Sequence, residues 1–323
     1  MSDWTYYPGD PEQRISGAAR GGESRKYSIN WALTILLLGL AAIGGCSYSF
    51  GRLAESADIF SRTIHNPGVG VLVIEEEIFG SIWVTEALHQ FEKDPLIKSV
   101  VIRINSPGGA VAPCQEIYQM VRAMDKPVVV SMGSIAASGG LYIAAAGDMI
   151  IANPGTLTGS IGVIMQSIEV SGALDKIGLK SQTIKSGDYK DIGSPFREMR
   201  PEERDLLKTL VMDVYEQFVT DLIHGRPKMQ ETAVRRLANG CVFSGAEAVK
   251  LGLVDELGGF EDALLRAARM GGLPLNQRPE LVFKDGRQSW WETLLKSKFN
   301  LSLMTPPALT PGLTLKYIYQ SNI

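Results

Sequence analysis

Short runs of β-branched and aliphatic residues alternate with segments of helical spacing through the middle of this chain. That alternation restricts the fold more than any other feature. Residues 69–74 (VGVLVI), 99–104 (SVVIRI), 128–132 and 149–152 read as strands. Between them, Val84, Ala87, Leu88 and Phe91 recur at helical spacing, as do Ile117, Met120, Val121 and Met124. Residues 136–146 are small and apolar and read as a buried helix. Farther on, Pro201 followed by Glu202 and Glu203 opens a helix that carries Leu207, Leu210, Val211, Val214, Phe218 and Leu222 on one face. Residues 244–255 hold a short helix and Gly252, and residues 260–270 a further helix. Such alternation yields βαβ units, a mainly parallel sheet with helices packed on it, and places the chain in the α/β class.

Composition excludes several functions. The 323 residues are 45% hydrophobic and 21% charged, which is globular and not disordered. The net charge of −3 supplies no basic face, so nucleic acid is not an expected partner. Cys46, Cys114 and Cys241 are too few for a disulfide framework and fit no zinc spacing. His65, His89 and His224 are scattered, so neither a multi-histidine metal centre nor a histidine-based triad is expected.

The N-terminal part reads as a membrane anchor. Residues 27–50 contain no charged side chain, and residues 31–45 (WALTILLLGLAAIGG) are almost wholly apolar. With Tyr27, Tyr48 and Phe50 as interfacial ends, this is the length of about 20 residues that spans a hydrocarbon core. Arg14, Arg20, Arg25 and Lys26 precede it, whereas Arg52 is followed by Glu55 and Asp58. The charge asymmetry puts residues 1–26, a flexible tail, in the cytoplasm and everything after about residue 51 outside it. A buried core helix, a cleaved signal peptide and a lipidated Cys46 are the competing readings of the same segment. Residues 51–67 read as a linker, residues 68–285 as the soluble domain and residues 286–323 as a C-terminal extension. In that extension, prolines in TPPALTPGLTLKYIY forbid a single helix. It is read either as a membrane-surface or subunit-contact segment or as an arm wrapped on its own domain.

Four glycine-containing clusters carry the chemistry: NSPGG at 105–109, ASGG at 137–140, TGSIG at 158–162 and KSGDYKD at 185–191. Ser138 stands where a strand-and-loop unit gives way to a helix, the position of an N-cap or of an exposed nucleophile. Gly108 and Gly109 follow another strand, and glycine there lets backbone N–H groups approach a developing oxyanion. His224 lies late on an apolar-faced helix and is a poor base for Ser138. A lysine serves if desolvation favours its neutral form. Lys185 and Lys190 both flank a glycine loop, and the residues alone do not choose between them.

These motifs, with KPVVVSMGSIAASGGLYIA at 126–144, ANPGTLTGSIGVI at 152–164, IKSGDYKDIGSPFREM at 184–199 and VDELGG at 254–259, resemble the signal peptide peptidase A family of bacterial Ser/Lys peptidases (protease IV), in its short form. The resemblance covers roughly residues 65–270. It implies a crotonase/Clp-protease-like layered β/α core, assembled as a homo-oligomer. It also implies Ser138 as nucleophile, Lys190 as general base, Ser160 as the residue orienting the lysine, and Gly108 and Gly139 as oxyanion donors, with Gly109 the close alternative to Gly108. No metal or organic cofactor is required. The implied substrates are residual signal peptides or other membrane-associated peptides. The implied location is the bacterial cytoplasmic membrane, single-pass, with the catalytic domain extracytoplasmic and the lipid bilayer as a partner. Each motif occurs once, so an assembly must supply further copies. The alternatives are a protease of intact or misfolded membrane proteins, a hydratase of the crotonase type, and a non-catalytic scaffold of the same fold.

Overall fold

The computed structural model describes residues 66–285 and 315–318. The tail, the anchor at 27–50, nearly all of the linker and Cys46 lie outside the described residues. No helix among the described residues is long and apolar enough to cross a membrane.

The chain opens with β1 (Gly68–Glu75), α1 (Ile82–Lys93), β2 (Ile97–Ser106), β3 (Gly108–Ala110) and α2 (Val111–Arg122). Then come β4 (Val128–Ala137), α3 (Gly139–Ala144), β5 (Met149–Ala152), β6 (Leu157–Gly159) and β7 (Ile164–Met165). After α4 (Ser171–Lys176) and the long α5 (Pro201–Gly225) follow α6 (Glu231–Leu237), β8 (Val242–Ser244), α7 (Gly245–Leu251), β9 (Glu256–Leu257) and α8 (Phe260–Met270). The last strands are β10 (Glu280–Asp285) and β11 (Leu315–Ile318).

The main sheet has the order β10-β1-β2-β4-β5-β9, all parallel. Alternation in the strands sorts their side chains onto two faces. Val69, Val71, Val101, Val129 and Ile151 meet Ala263, Leu264, Ala267 and Ala268 of α8 on one face. Leu72, Ile102, Val130 and Ile150 point the other way, into the larger core under α1, α2, α3 and α5. Both faces are therefore covered, which is why these strands read as near-continuous apolar runs.

Residues 136–146 depart from the expected helix. Strand β4 continues to Ala137, and only Gly139–Ala144 is helical. Beyond Met132 the strand leaves β5 and pairs with β6, Ile135 to Leu157, Ala136 to Thr158 and Ala137 to Gly159. Asn105 Oδ1 accepts the Ser134 N–H at 3.0 Å where the partner changes, and the Thr156 and Thr158 hydroxyls donate to Gly133 O and Ala136 O at 2.7 Å. Sheet pairing and these side-chain bonds override the helix preference of alanine, which is a weak local bias. The first half of α5 departs too. Val214, Phe218 and Leu222 are buried, but Leu210 is exposed and Leu207 and Val211 are half-buried.

Candidate active site

The strand ends of β2, β4 and β6 converge on Ser138. Its N–H donates to Gly159 O at 2.8 Å, which seats it beside the end of β6, and its carbonyl accepts the Tyr142 N–H at 2.8 Å, which starts α3. Its backbone has φ 53° and ψ −115°. That region is almost confined to glycine and costs of order 1–3 kcal/mol for another residue. The surroundings hold it there. Tyr142, at the next turn, stacks against Tyr118 and Phe218 with centroids 5.0 and 4.9 Å away. Its hydroxyl donates to the Asp221 carboxylate of α5. The serine is 1% exposed, yet its Oγ has no hydrogen-bond partner among the described residues. A buried hydroxyl without a partner is costly unless something else completes it.

Gly139 lies directly against the glycine turn. A Cβ placed on it would stand 3.1 Å from Gly108 Cα, 3.1 Å from Gly109 N and 2.7 Å from Cys114 Sγ. Gly108 has φ 109°, which only glycine adopts readily. Its N–H already donates to Ser106 Oγ at 3.1 Å, and Ser106 Oγ in turn donates to Glu76 O. The Gly108 donor is therefore engaged. Cys114 under Gly139 is fully buried, and burial pushes its thiol up to about 12, so it is an inert packing group. Cys114 and Cys241 are both free.

Ser160 follows β6 with φ 52° and donates its N–H to Cys241 O at 2.7 Å. The pairing of Ala137 with Gly159 makes Ser138 and Ser160 neighbours at adjacent strand ends. Ser138, Gly139, Gly108, Gly109 and Ser160 thus form one cradle.

Lys190 is not in it. The segment from Gln166 to Met199 leaves the sheet and is largely exposed, Lys190 included. Lys190 makes no side-chain hydrogen bond or ion pair among the described residues, whereas Lys185 is engaged: its Nζ pairs with Asp191 at 2.6 Å and donates to Asp188 O at 2.9 Å. Asp191 also accepts from Arg197 at 2.8 Å, and Arg197 bonds Glu203 at 2.6 Å. Glu203 is buried and accepts from Arg200 as well, through its guanidinium and its N–H. Hydrogen bonds from Arg197, and then from Lys185, hold the Asp191 carboxyl well below the usual carboxylate range. Arg197 and then Arg200 do the same for Glu203. This ladder ties the arm to the first turn of α5 and leaves Lys190 as the uncommitted lysine of the pair.

Comparison with known proteins agrees with this architecture. Residues 121–273 match the model of Peptidase family S49, and residues 55–158 match that of Clp protease. Over residues 121–273 the chain thus resembles peptidase family S49. Over 177 residues it is 46% identical to a putative protease of Synechocystis sp., covering 54% of this chain and 64% of that one. It is 40% identical over 180 residues to a putative signal peptide peptidase SppA of Enterococcus faecium, covering 55% and 52%. Protease 4 of Salmonella typhi is 32% identical over 297 residues, 81% of this chain and 47% of that protein. The matches thus span about half to just under two thirds of these relatives' lengths. The S49 match contains Ser138, Ser160 and Lys190, and the Clp protease match contains Gly108.

The residues that sequence reasoning passed over are supporting ones. Ser106 holds the glycine turn from two residues before it, a spacing at which serine side chains commonly cap turns. Cys114 packs under Gly139 and Cys241 lends its carbonyl to Ser160. Neither contact has a signal in the sequence.

Proposed function

We propose that this chain is a membrane-anchored serine endopeptidase in which Ser138 is the nucleophile and Lys190 the general base, acting on residual signal peptides in an extracytoplasmic compartment. The observation that carries the reading is the strained, buried Ser138 whose hydroxyl is left without a partner beside two glycine backbones. Strain of this kind at a strand-to-helix turn is how nucleophilic serines are presented.

Ser138 Oγ attacks the substrate carbonyl as neutral Lys190 Nζ takes its proton. The tetrahedral oxyanion is met by the Gly139 N–H and by an N–H of the Gly108–Gly109 turn; each such donor is worth about 3–4 kcal/mol in other hydrolases. Protonated Lys190 then donates to the leaving amine, and an ester on Ser138 remains. Water, giving its proton to Lys190, hydrolyses that ester. Because Lys190 is exposed on an arm and Ser138 Oγ is unpartnered, we place the lysine of one copy in the cradle of another, where exclusion of water favours the neutral amine and Ser160 orients it. The exposed apolar residues of the arm and of α5, among them Ile168, Ile177, Leu179, Ile184 and Leu210, suit burial against that second copy. The names of the matched relatives support the substrate class, and the charge-free segment at 27–50 supports the anchor.

The test is hydrolysis of a synthetic signal peptide by the full-length chain. Ser138→Ala and Lys190→Ala each lose at least about 10³-fold in kcat/KM, and Lys185→Ala keeps most of it. Co-expressing the two inactive chains restores activity, because some cradles then hold an intact serine and an intact lysine. Activity retained in Ser138→Ala sinks the nucleophile; no recovery on co-expression sinks the shared site.

A further inference from the structure

The side chain of Lys190 is uncommitted among the described residues, yet the residues on both sides of it are held. Residues 187–194 form successive turns: the Lys190 N–H donates to Gly187 O, the Ile192 N–H to Tyr189 O and the Ser194 N–H to Asp191 O, each at 3.1 Å. Before Lys190, Arg200 donates to Asp188 O at 2.8 Å, and its guanidinium lies over the Tyr189 ring, 5.5 Å from the centroid. After Lys190, Arg197 grips Asp191 with a fork, Nε to Oδ2 at 2.9 Å and Nη2 to Oδ1 at 2.8 Å. The same guanidinium makes a second fork on Glu203, Nη1 to Oε2 at 2.8 Å and Nη2 to Oε1 at 2.6 Å.

Two features set this arrangement apart from an ordinary helix cap. A capping box asks Glu203 for one bond, to the Arg200 N–H, and it makes that bond at 3.0 Å. Its carboxylate accepts three more from guanidinium nitrogens, so each oxygen is used twice. Both arginines that hold the Lys190 turn are thus gathered on one buried carboxylate, in the first turn of a helix whose later turns lie in the core. The second feature is the fork itself. Bidentate pairing fixes direction as well as distance, and the ammonium of a lysine cannot reproduce it. Lys185 gives the Asp191 side chain a single contact, so Asp191 keeps its fork when Lys185 is removed.

We propose that Arg197 and Glu203 are positioning residues for catalysis: they set the Lys190 turn at a fixed place relative to α5, so that the amine arrives at a serine hydroxyl in one orientation. The inference rests on the reading of Lys190 as the general base. Neither Arg197 nor Glu203 touches substrate, and each acts only through Lys190. Misplacing a reacting group by about 1 Å costs of order 10²-fold in rate. Substrate binding does not use the turn, so the effect falls on kcat and leaves KM alone.

The experiment uses the full-length chain and Arg197→Lys, which keeps the charge and loses both forks. On a fluorogenic signal peptide, kcat should fall by roughly 10²-fold with KM within about twofold of the parent. The unfolding midpoint and the mass of the assembly in sedimentation should not change. Arg200→Ala should lose less, because Asp191 keeps its fork. A double-mutant cycle separates positioning from support. Once Lys190→Ala has removed the base, adding Arg197→Lys should alter the residual rate, measured at high enzyme concentration, by less than about twofold. A second full-sized loss in that background, a parent-like kcat in Arg197→Lys, or a loss of rate that tracks a loss of assembly or of midpoint overturns the proposal. Amide exchange over residues 187–194 is read without any activity and should be faster in Arg197→Lys than in the parent. If it is, and no form hydrolyses peptides, the arginine forks hold the turn and the peptidase reading alone fails. Equal exchange in the two chains shows that the forks do not hold the turn, and sinks the proposal whatever the rates.

Discussion

The cradle and the arm are built by different means. Around Ser138 the constraints are mostly backbone: strand pairing to Gly159, a helix start at Tyr142 and close approach at Gly139, with the Ser106 hydroxyl propping the glycine turn. Around Lys190 the constraints are side-chain charges, a ladder from Lys185 through Asp191 and Arg197 to Glu203, on a segment that touches little of the core. A nucleophile needs a fixed angle of attack, which sheet ends supply. Under the proposed function, a base that serves a neighbouring copy needs only a platform that holds its shape until docking.

The contrast has consequences of different size. At Ser138, stability and activity should move in opposite directions. Ser138→Gly abolishes peptide hydrolysis, by at least about 10³-fold, while relief of the positive φ raises unfolding stability by about 1 kcal/mol or more in a denaturant titration. A loss of stability would mean that the hydroxyl supports the fold and is not held there under strain. Lys190→Ala should lose comparable activity with no change in the midpoint, since its side chain is exposed and makes no hydrogen bond or ion pair among the described residues.

A smaller effect is expected from Gly139→Ala. The added methyl meets Cys114 Sγ at 2.7 Å and Gly108 Cα at 3.1 Å, so the turn must give way. Overpacking of this sort costs about 1–3 kcal/mol, and kcat should fall by roughly 10²-fold as one oxyanion donor is displaced. Adding Cys114→Ala should recover part of the stability and little of the activity. Full recovery of both would show that the Gly108 contact is slack.

The arm should instead respond to pH. The Asp191 and Glu203 carboxyls lie below their ordinary range when folded, whereas unfolded carboxylates titrate near about 4. The ladder's contribution is therefore complete above that value and disappears as pH falls through the lower folded-state values. Amide exchange protection over residues 191–203 should be flat from about pH 8 to pH 5 and drop below about pH 4. Glu203→Gln should lower protection at neutral pH and flatten the drop; an unchanged profile would remove Glu203 from the ladder. The smallest effect is chemical: a maleimide at pH 8 should label exposed Cys241 and spare Cys114 in the native chain, as read by peptide mapping.

The two regions also differ in how much the sequence discloses. Strands β1, β2, β4 and β5 and helix α8 are visible because their apolar periodicity answers to burial, and burial is decided by the sheet they form. The motifs around Gly108, Ser138 and Ser160 are visible because their glycines mark turns where the backbone must approach closely. The extension of β4 through Ala137 is not visible: the five residues 133–137 (GSIAA) are mostly small and have no periodicity, and their partner β6 lies some 20 residues later. The α5 stripe reads as core throughout, yet Leu210 is exposed and Leu207 and Val211 are only half-buried, since a stripe records only that some surface covers it. Nothing local distinguishes the engaged Lys185 from the free Lys190, a difference set by Asp191 and by the fold of the arm.

The edge of the main sheet has one further consequence, for synthesis. β1 is the first strand to leave the ribosome, but its outer neighbour β10 is almost the last, and Asn66 reaches Glu280 across 214 residues. Throughout translation of the intervening chain, β1 is an uncovered apolar edge with its backbone donors and acceptors free to pair with any other strand. Contacts of such separation also form late and slowly. Nascent chains that stall before residue 280 should therefore be the ones that aggregate or are retained by chaperones, and yield in a recombinant host should hinge on how quickly the last segment is made.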